Sequence, residues 1–179
     1  MLSLFQQLLI SQFEASLAML AHCVARCPED RWQAPVARYP FSQVVFHTLF
    51  YTDFYLGKQP DDFKMQSFHR ENRMLFGQYE QLEDREPVEI YDRADIERYL
   101  AFCRTKAATI VQAETEQSLA APAAFPRRRC SRAETHVYNI RHIQHHVGQL
   151  SMRLRLEGGV DFPWIDHGWR EPELSTPAV

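Results

Sequence analysis

The segment RHIQHHVGQLSMRLR, residues Arg141–Arg155, gathers three of the chain's eight histidines within five positions: His142, His145 and His146. On a helix, residues four apart project from one face, one turn above each other. His142 and His146 have that spacing and can share one metal ion, with nitrogen–metal distances of about 2.0–2.1 Å for zinc. His145 points elsewhere on the wheel. A third candidate is His47, the only strongly basic group in VVFHTLFYTDFYL, a segment apolar on almost every side. Burying an imidazole there is costly without a partner, which could be a core tyrosine, a carbonyl or a metal. Three facing imidazoles repel if protonated and are stabilised by a shared cation, so His47, His142 and His146 together point to a metal site.

Tyr51, one turn after His47, and Tyr138, Gln149 and Arg153, on the face of the histidine pair, are candidates to support the ligands or bind substrate. His145 is a further candidate for such a supporting role, or a surface residue. Gln149 and Arg153 suit a bridge between helices equally well. His22, His69, His136 and His167 carry no spacing argument, and packing or surface exposure is the expectation for each.

Four helical segments must position these residues. The first spans about Leu2 to Arg26, with Phe5, Leu9, Phe13, Leu17, Leu20 and Val24 at three- to four-residue spacing. The second spans about Ser42 to Leu56, with Ser42 as N-cap and Gly57 as the stop. The third opens at Asp92 and continues through RADIERYLAFCRTKAATIVQAETEQSL, burying Ile96, Leu100, Cys103, Ala107 and Ile110. The fourth opens on Ser131 and Glu134 in capping-box spacing and ends at Gly158-Gly159. Its apolar seam is Ile140, Ile143, Val147, Leu150 and Leu154. No alternating segment is long enough to argue for a sheet.

These features predict an all-α four-helix bundle. The connections flanking the outer helices are short, which suits antiparallel neighbours. About 34 residues separate the second and third helices. Such a crossover can return the chain along the bundle, giving up-down-down-up order. Helical pieces such as Asn72 to Leu82 fit within it. The tail after Gly159 is expected to pack through Trp164 and Trp169 and to fray after about Pro172. Residues 1–179 read as a single domain with a C-terminal extension from about 160.

Composition excludes several classes. The chain has 179 residues, with 45% hydrophobic and 24% charged, an ordinary globular balance. The net charge of -3 gives no general reason to expect a nucleic-acid partner. The run Arg127, Arg128, Arg129 with Arg132 reads as a solvated loop. Cys23, Cys27, Cys103 and Cys130 lack paired spacing and suit reduced thiols in a cytoplasmic protein. No membrane span is expected, because polar residues interrupt every stretch near the roughly 18 apolar residues needed. HExxH, Glu-x-x-His, a Gly-rich phosphate loop and GxSxG are all absent from the sequence.

The segment NIRHIQHHVGQLSMRLR resembles the last-helix motif of the DinB-like metalloenzyme family, a histidine pair four apart followed by Gly-Gln. That family's other ligand is a histidine in the second helix, the place His47 occupies, 95 residues before His142. Helix count and the long crossover agree over most of the chain; GGVDFPWI fits more loosely. The resemblance implies an up-down-down-up bundle in which His47, His142 and His146 hold a divalent transition metal. Zinc or nickel comes first, with iron or another metal next. It also implies open coordination positions and a thiol-dependent S-transferase, acting on a small molecule with a low-molecular-weight thiol. Two alternatives stand beside it: a metal-dependent hydrolase, and a non-catalytic, stress-related metal- or ligand-binding bundle. A homodimer formed through exposed helix faces suits each of these readings. Without a metal, the same histidines would form a pH-sensitive core.

Overall fold

A computed structural model describes residues 1–76, 91–126 and 128–172. It is mostly helical. Four long helices dominate, α1 (Leu2–Arg26), α2 (Phe41–Leu56), α6 (Arg93–Ala113) and α8 (Arg132–Gly158), joined by short ones, α3 (Pro60–Met65), α4 (Ser67–Glu71), α5 (Arg73–Phe76) and α7 (Glu116–Ala120). A 3-10 turn, Glu29–Arg31, precedes a small hairpin of β1 (Pro35–Val36) and β2 (Tyr39–Pro40). These antiparallel strands are two residues each, too short to produce a readable period-two pattern.

The hairpin changes how α2 begins. Ser42 is not its N-cap: Pro40 holds that position, and the Ser42 hydroxyl donates to Gln33 Oε1 at 3.0 Å. The backbone N–H groups of Phe41 and Ser42 instead donate to the carbonyls of Ala34 and Trp32, at 2.9 and 3.0 Å. Two free donors of the first turn are therefore satisfied by the preceding loop rather than by a capping side chain.

The third long helix stops earlier than its periodicity predicts. Glu114 turns extended at ψ 146, and Thr115 with Ser118 forms a reciprocal capping box that starts α7. A threonine that can cap a new helix competes with continuation of the old one. Where the sequence caps were strongest the boundaries agree. Asp92 accepts from Ala94 N, Ser131 and Glu134 form their box, and Gly159 takes φ +61. Of the helix expected at Asn72 to Leu82, Arg73–Phe76 is helical; residues 77–82 lie outside the described residues.

α1 packs against α6 and α8, and α2 packs against the same two. Several pairs fix how these helices meet. Phe46 meets Tyr99, Cys103 Sγ meets the Leu49 carbonyl, and Asp53 meets Lys106 between α2 and α6. Between α2 and α8, His47 meets His146, Asn139 donates to the Thr52 carbonyl, and Arg132 donates to the carbonyls of Tyr55, Leu56 and Gly57. Gln6 donates to the carbonyls of Gln112 and Glu114, while Arg93 donates to those of Val24 and Cys27, at opposite ends of α1 and α6.

The predicted stripes form part of the core, which α2 extends with Phe41, Val45, Phe46, Leu49 and Leu56, each large side chain contributing about 1.5–3 kcal/mol on burial. Leu9, Phe13, Leu17, Leu20 and Val24 are buried on α1, as are Ile96, Leu100, Cys103 and Ala107 on α6 and Ile143, Val147, Leu150 and Leu154 on α8, while Phe5, Ile110 and Ile140 are only partly buried. The most apolar stretch of α1 has the length and hydropathy of a membrane span, with 67% of it buried inside the molecule.

Two polar clusters were not foreseen. Asp53, fully buried, pairs with Lys106 and accepts from Tyr99 Oη and Gln66 Nε2. Arg132, expected in solvent, is 6% exposed and pairs with Glu114 at 2.8 Å. Its guanidinium supplies the donors that the last carbonyls of α2 otherwise lack. Arg128 is not solvated either: its guanidinium lies 3.5 Å from the Tyr138 ring centre and donates to Tyr55 Oη. Arg127 lies outside the described residues. In the tail, Trp169 packs under Arg104 as expected, at 3.9 Å, but Trp164 is 75% exposed. Phe162 and Ile165 are the side chains that bury there instead. Residues after Pro172 lie outside the described residues. All four cysteines are free, with Cys23, Cys27 and Cys103 buried and Cys130 half-buried.

Candidate metal centre

α2 turns Gln43, His47 and Tyr51, spaced four apart, toward α8, which presents His142 and His146 in return. The ring centres of His47 lie 5.4 Å from His142 and 4.8 Å from His146. One nitrogen from each of the three imidazoles falls within 4.8 Å of the others. His146 Nε2 and His142 Nε2 face each other at 3.1 Å. Two nitrogens bound to one zinc ion stand roughly 2.9–3.4 Å apart for angles of about 90–110°. The two histidines of α8 are therefore spaced as a chelate before any ion is considered.

A hydrogen-bond chain orients one ligand. Gln149 Oε1 lies 2.9 Å from His146 Nδ1, and Gln149 Nε2 donates to His145 Nε2 at 3.2 Å. An amide oxygen only accepts, so in this arrangement His146 carries its proton on Nδ1 and directs the Nε2 lone pair at His142. His142 Nδ1 is buried with no hydrogen-bond partner among the described residues.

All three imidazoles are held neutral. Burial lowers His47 to about 4, with His146 and His145 adding repulsion. Burial lowers His142 to about 3, reinforced by His146, His47, His145 and the Arg128 cation. Burial also lowers His146, partly offset by its bond to Gln149. Neutral imidazoles have free lone pairs near neutral pH, the protonation state a metal requires. The donor set thus fits a divalent transition metal, with imidazole nitrogen suiting zinc, nickel, iron and copper alike.

Above the cluster is a cavity of about 590 Å³, lined by His47, His146, Tyr51, Gln149, Gln43 and the hairpin residues 36–39, among others. A group bound by the three histidines would have open space on that side. Tyr51 forms part of this wall, 4.9 Å from the His47 ring centre. Tyr138 stacks on His142 at 6.3 Å and backs the site without lining the cavity. His145 is exposed at the edge and touches the cluster through Gln149. Arg153 is turned away, paired with Glu157 at 2.6 Å.

Sequence reasoning missed Gln43, Arg38 and Arg128. Gln43 had a readable signal, since it lies one turn before His47 on the same face. Arg38 had none, because the hairpin that brings it over the site is too short to detect.

Of the remaining histidines, His22 and His136 are buried, and His136 Nε2 lies 2.9 Å from Glu114. His69 packs on Phe63 and Phe76. His167 pairs with Asp166 at 2.8 Å.

Comparison with curated proteins gives no match, and comparison with solved structures gives none. The family profile of the DinB superfamily matches residues 12–150, a span that contains α1 from Gln12 onward, the crossover and all three clustered histidines. The chain belongs to the DinB superfamily.

Proposed function

We propose that this protein is a metal-dependent enzyme whose His47, His142 and His146 hold one divalent transition metal, zinc or nickel first. The observation that carries the reading is the convergence of three neutral imidazole nitrogens, within 4.8 Å of one another, beneath a cavity of about 590 Å³. Three protein ligands leave coordination positions open, the arrangement of catalytic sites, whereas structural sites are closed by a fourth.

When bound, the metal lowers the pKa of a thiol or a water at its open positions and so supplies a nucleophile near neutral pH. The chain's own residues do the rest. His146 is oriented by Gln149, His47 is fixed against the Tyr51 ring, and His142 is backed by Tyr138. Apolar surface from Val36 and Val44 lowers the polarity around the reacting groups. Thiol S-transfer is the leading reaction, with a low-molecular-weight thiol and a small electrophile as substrates.

The reading extends to the whole chain as one domain, a four-helix bundle in up-down-down-up order. The pairs 46/99, 49/103 and 53/106 advance together along α2 and α6, supporting parallel helices there. The pairs 47/146, 52/139 and 56/132 run in opposite senses along α2 and α8. We further propose a cytoplasmic homodimer that engages neither membrane nor nucleic acid.

The test is a turnover screen of the metal-loaded protein with electrophilic substrates and added thiols. Thiol-dependent product should form and should be lost in His47→Ala. Unchanged turnover in that variant would remove the metal from the reaction.

A further inference from the structure

We propose that Gln43 is a specificity-determining residue of the cavity over the histidine cluster: its side-chain carbonyl accepts a hydrogen bond from an uncharged N–H of the ligand. The cavity then takes a thiol that bears an amide in preference to one of equal size without the N–H. The proposal rests on reading that cavity as the thiol site beside the proposed metal.

The buried amide is the first observation. Gln43 is 3% exposed, yet its Oε1 has no hydrogen-bond partner among the described residues, and the side chain lines the cavity. The local sequence explains why no partner is at hand. Gln43 is the third residue of α2, the position from which a glutamine reaches back to the backbone N–H of the N-cap. Here the N-cap is Pro40, which has no N–H. The N–H groups of Phe41 and Ser42 already donate to the carbonyls of Ala34 and Trp32. A buried amide acceptor left in this state is costly, and a ligand donor satisfies it.

Placement is the second. Gln43, His47 and Tyr51 form one row on α2, with Cβ atoms of successive members about 5–6 Å apart, and all three line the cavity. An atom held at the histidines and a donor on Gln43 are therefore one helical turn apart, within the span of one small molecule. The other glutamine of the wall, Gln149, has its amide engaged by His146 and His145. Gln43 is the one whose acceptor is open.

The chemistry of the wall is the third. Val36, Ala37, Val44 and the rings of Tyr39 and Tyr51 supply apolar surface to the same cavity. An ammonium loses its hydration against such surface, whereas a neutral N–H loses far less. A hydroxyl carries lone pairs of its own into the wall, while an amide nitrogen brings only the donor that Oε1 lacks.

The experiment compares N-acetylcysteamine with 2-mercaptoethyl acetate, in which an ester oxygen replaces the amide N–H and the thiol and acetyl groups are unchanged. Binding is measured by titration calorimetry on the zinc-loaded and the metal-free full chain. The amide should bind about tenfold tighter than the ester to the zinc-loaded protein. The preference should persist, at lower affinity, without zinc. Gln43→Met should bring the amide-to-ester ratio to about one with zinc content unchanged. Damage to the fold or the metal weakens both probes together, so the ratio reads the Gln43 contact alone. Equal affinity for amide and ester in the wild type, or an unchanged ratio in Gln43→Met, overturns the role of Gln43 and leaves the metal reading intact. Failure to take up zinc overturns the metal reading, while the metal-free ratio still decides for or against Gln43. No binding of either probe to either form overturns the proposal.

Discussion

Gln149 Oε1 lies 2.9 Å from His146 Nδ1, one turn along α8, and this contact fixes which nitrogen of His146 faces the cluster. An outer partner of this kind restrains ring rotation and raises ligand basicity, and losing it costs about 10–100-fold in metal affinity. Gln149→Leu should lower zinc affinity by that amount in a chelator competition, with the thermal midpoint of the metal-free protein little changed. Unaltered affinity would reduce Gln149 to a cavity-wall residue.

The pH dependence of the metal-free protein follows from the same histidines. Folding holds His47 at about 4 and His142 at about 3, mainly by burial, whereas an unfolded histidine titrates near 6.5. The unfolded chain therefore binds more protons between those values, and stability falls as pH falls from about 6.5 toward 4. Urea midpoints should decline across that window. His47→Gln with His142→Gln should flatten the decline, leaving what His146 and His136, both also held below their usual value by burial, contribute. Bound zinc should delay the loss to lower pH, because protons must then displace the metal.

Arg132 joins α8 to the end of α2 through the carbonyls of Tyr55, Leu56 and Gly57 and through Glu114. Burial alone would raise the Glu114 carboxyl, but hydrogen bonds from His136, Ser118 and Arg132 outweigh it and hold the group at about 2. Arg132→Met leaves that carboxylate and three carbonyls short of donors, a loss of about 3–5 kcal/mol. Chemical denaturation should report it, while metal stoichiometry stays unchanged.

The long helices were legible because their apolar stripes repeat at helical spacing and their strongest stops, Gly57 and Gly159, are glycines. The histidine cluster was legible for a related reason. His142 and His146 sit four apart on one helix, and His47 stands out in an apolar segment. The Asp53 cluster was not, since residues 53, 66, 99 and 106 meet only after α2, α6 and the crossover assemble. Asp53 alone reads as an ordinary polar residue near a helix end. Arg128 and Arg132 were read as solvated because a sequence shows their charge but not the phenol rings and helix carbonyls that receive it. The early stop of α6 came from Thr115, a cap signal hidden inside a favourable helical pattern.

The most direct measurement is the metal content of purified, untagged protein by plasma mass spectrometry, beside His47→Ala and His142→Ala. About one equivalent of a divalent transition metal in the wild type, lost in both variants, is the result expected of a three-histidine centre. No metal after incubation with zinc, nickel and ferrous iron, or full retention in either variant, would contradict it.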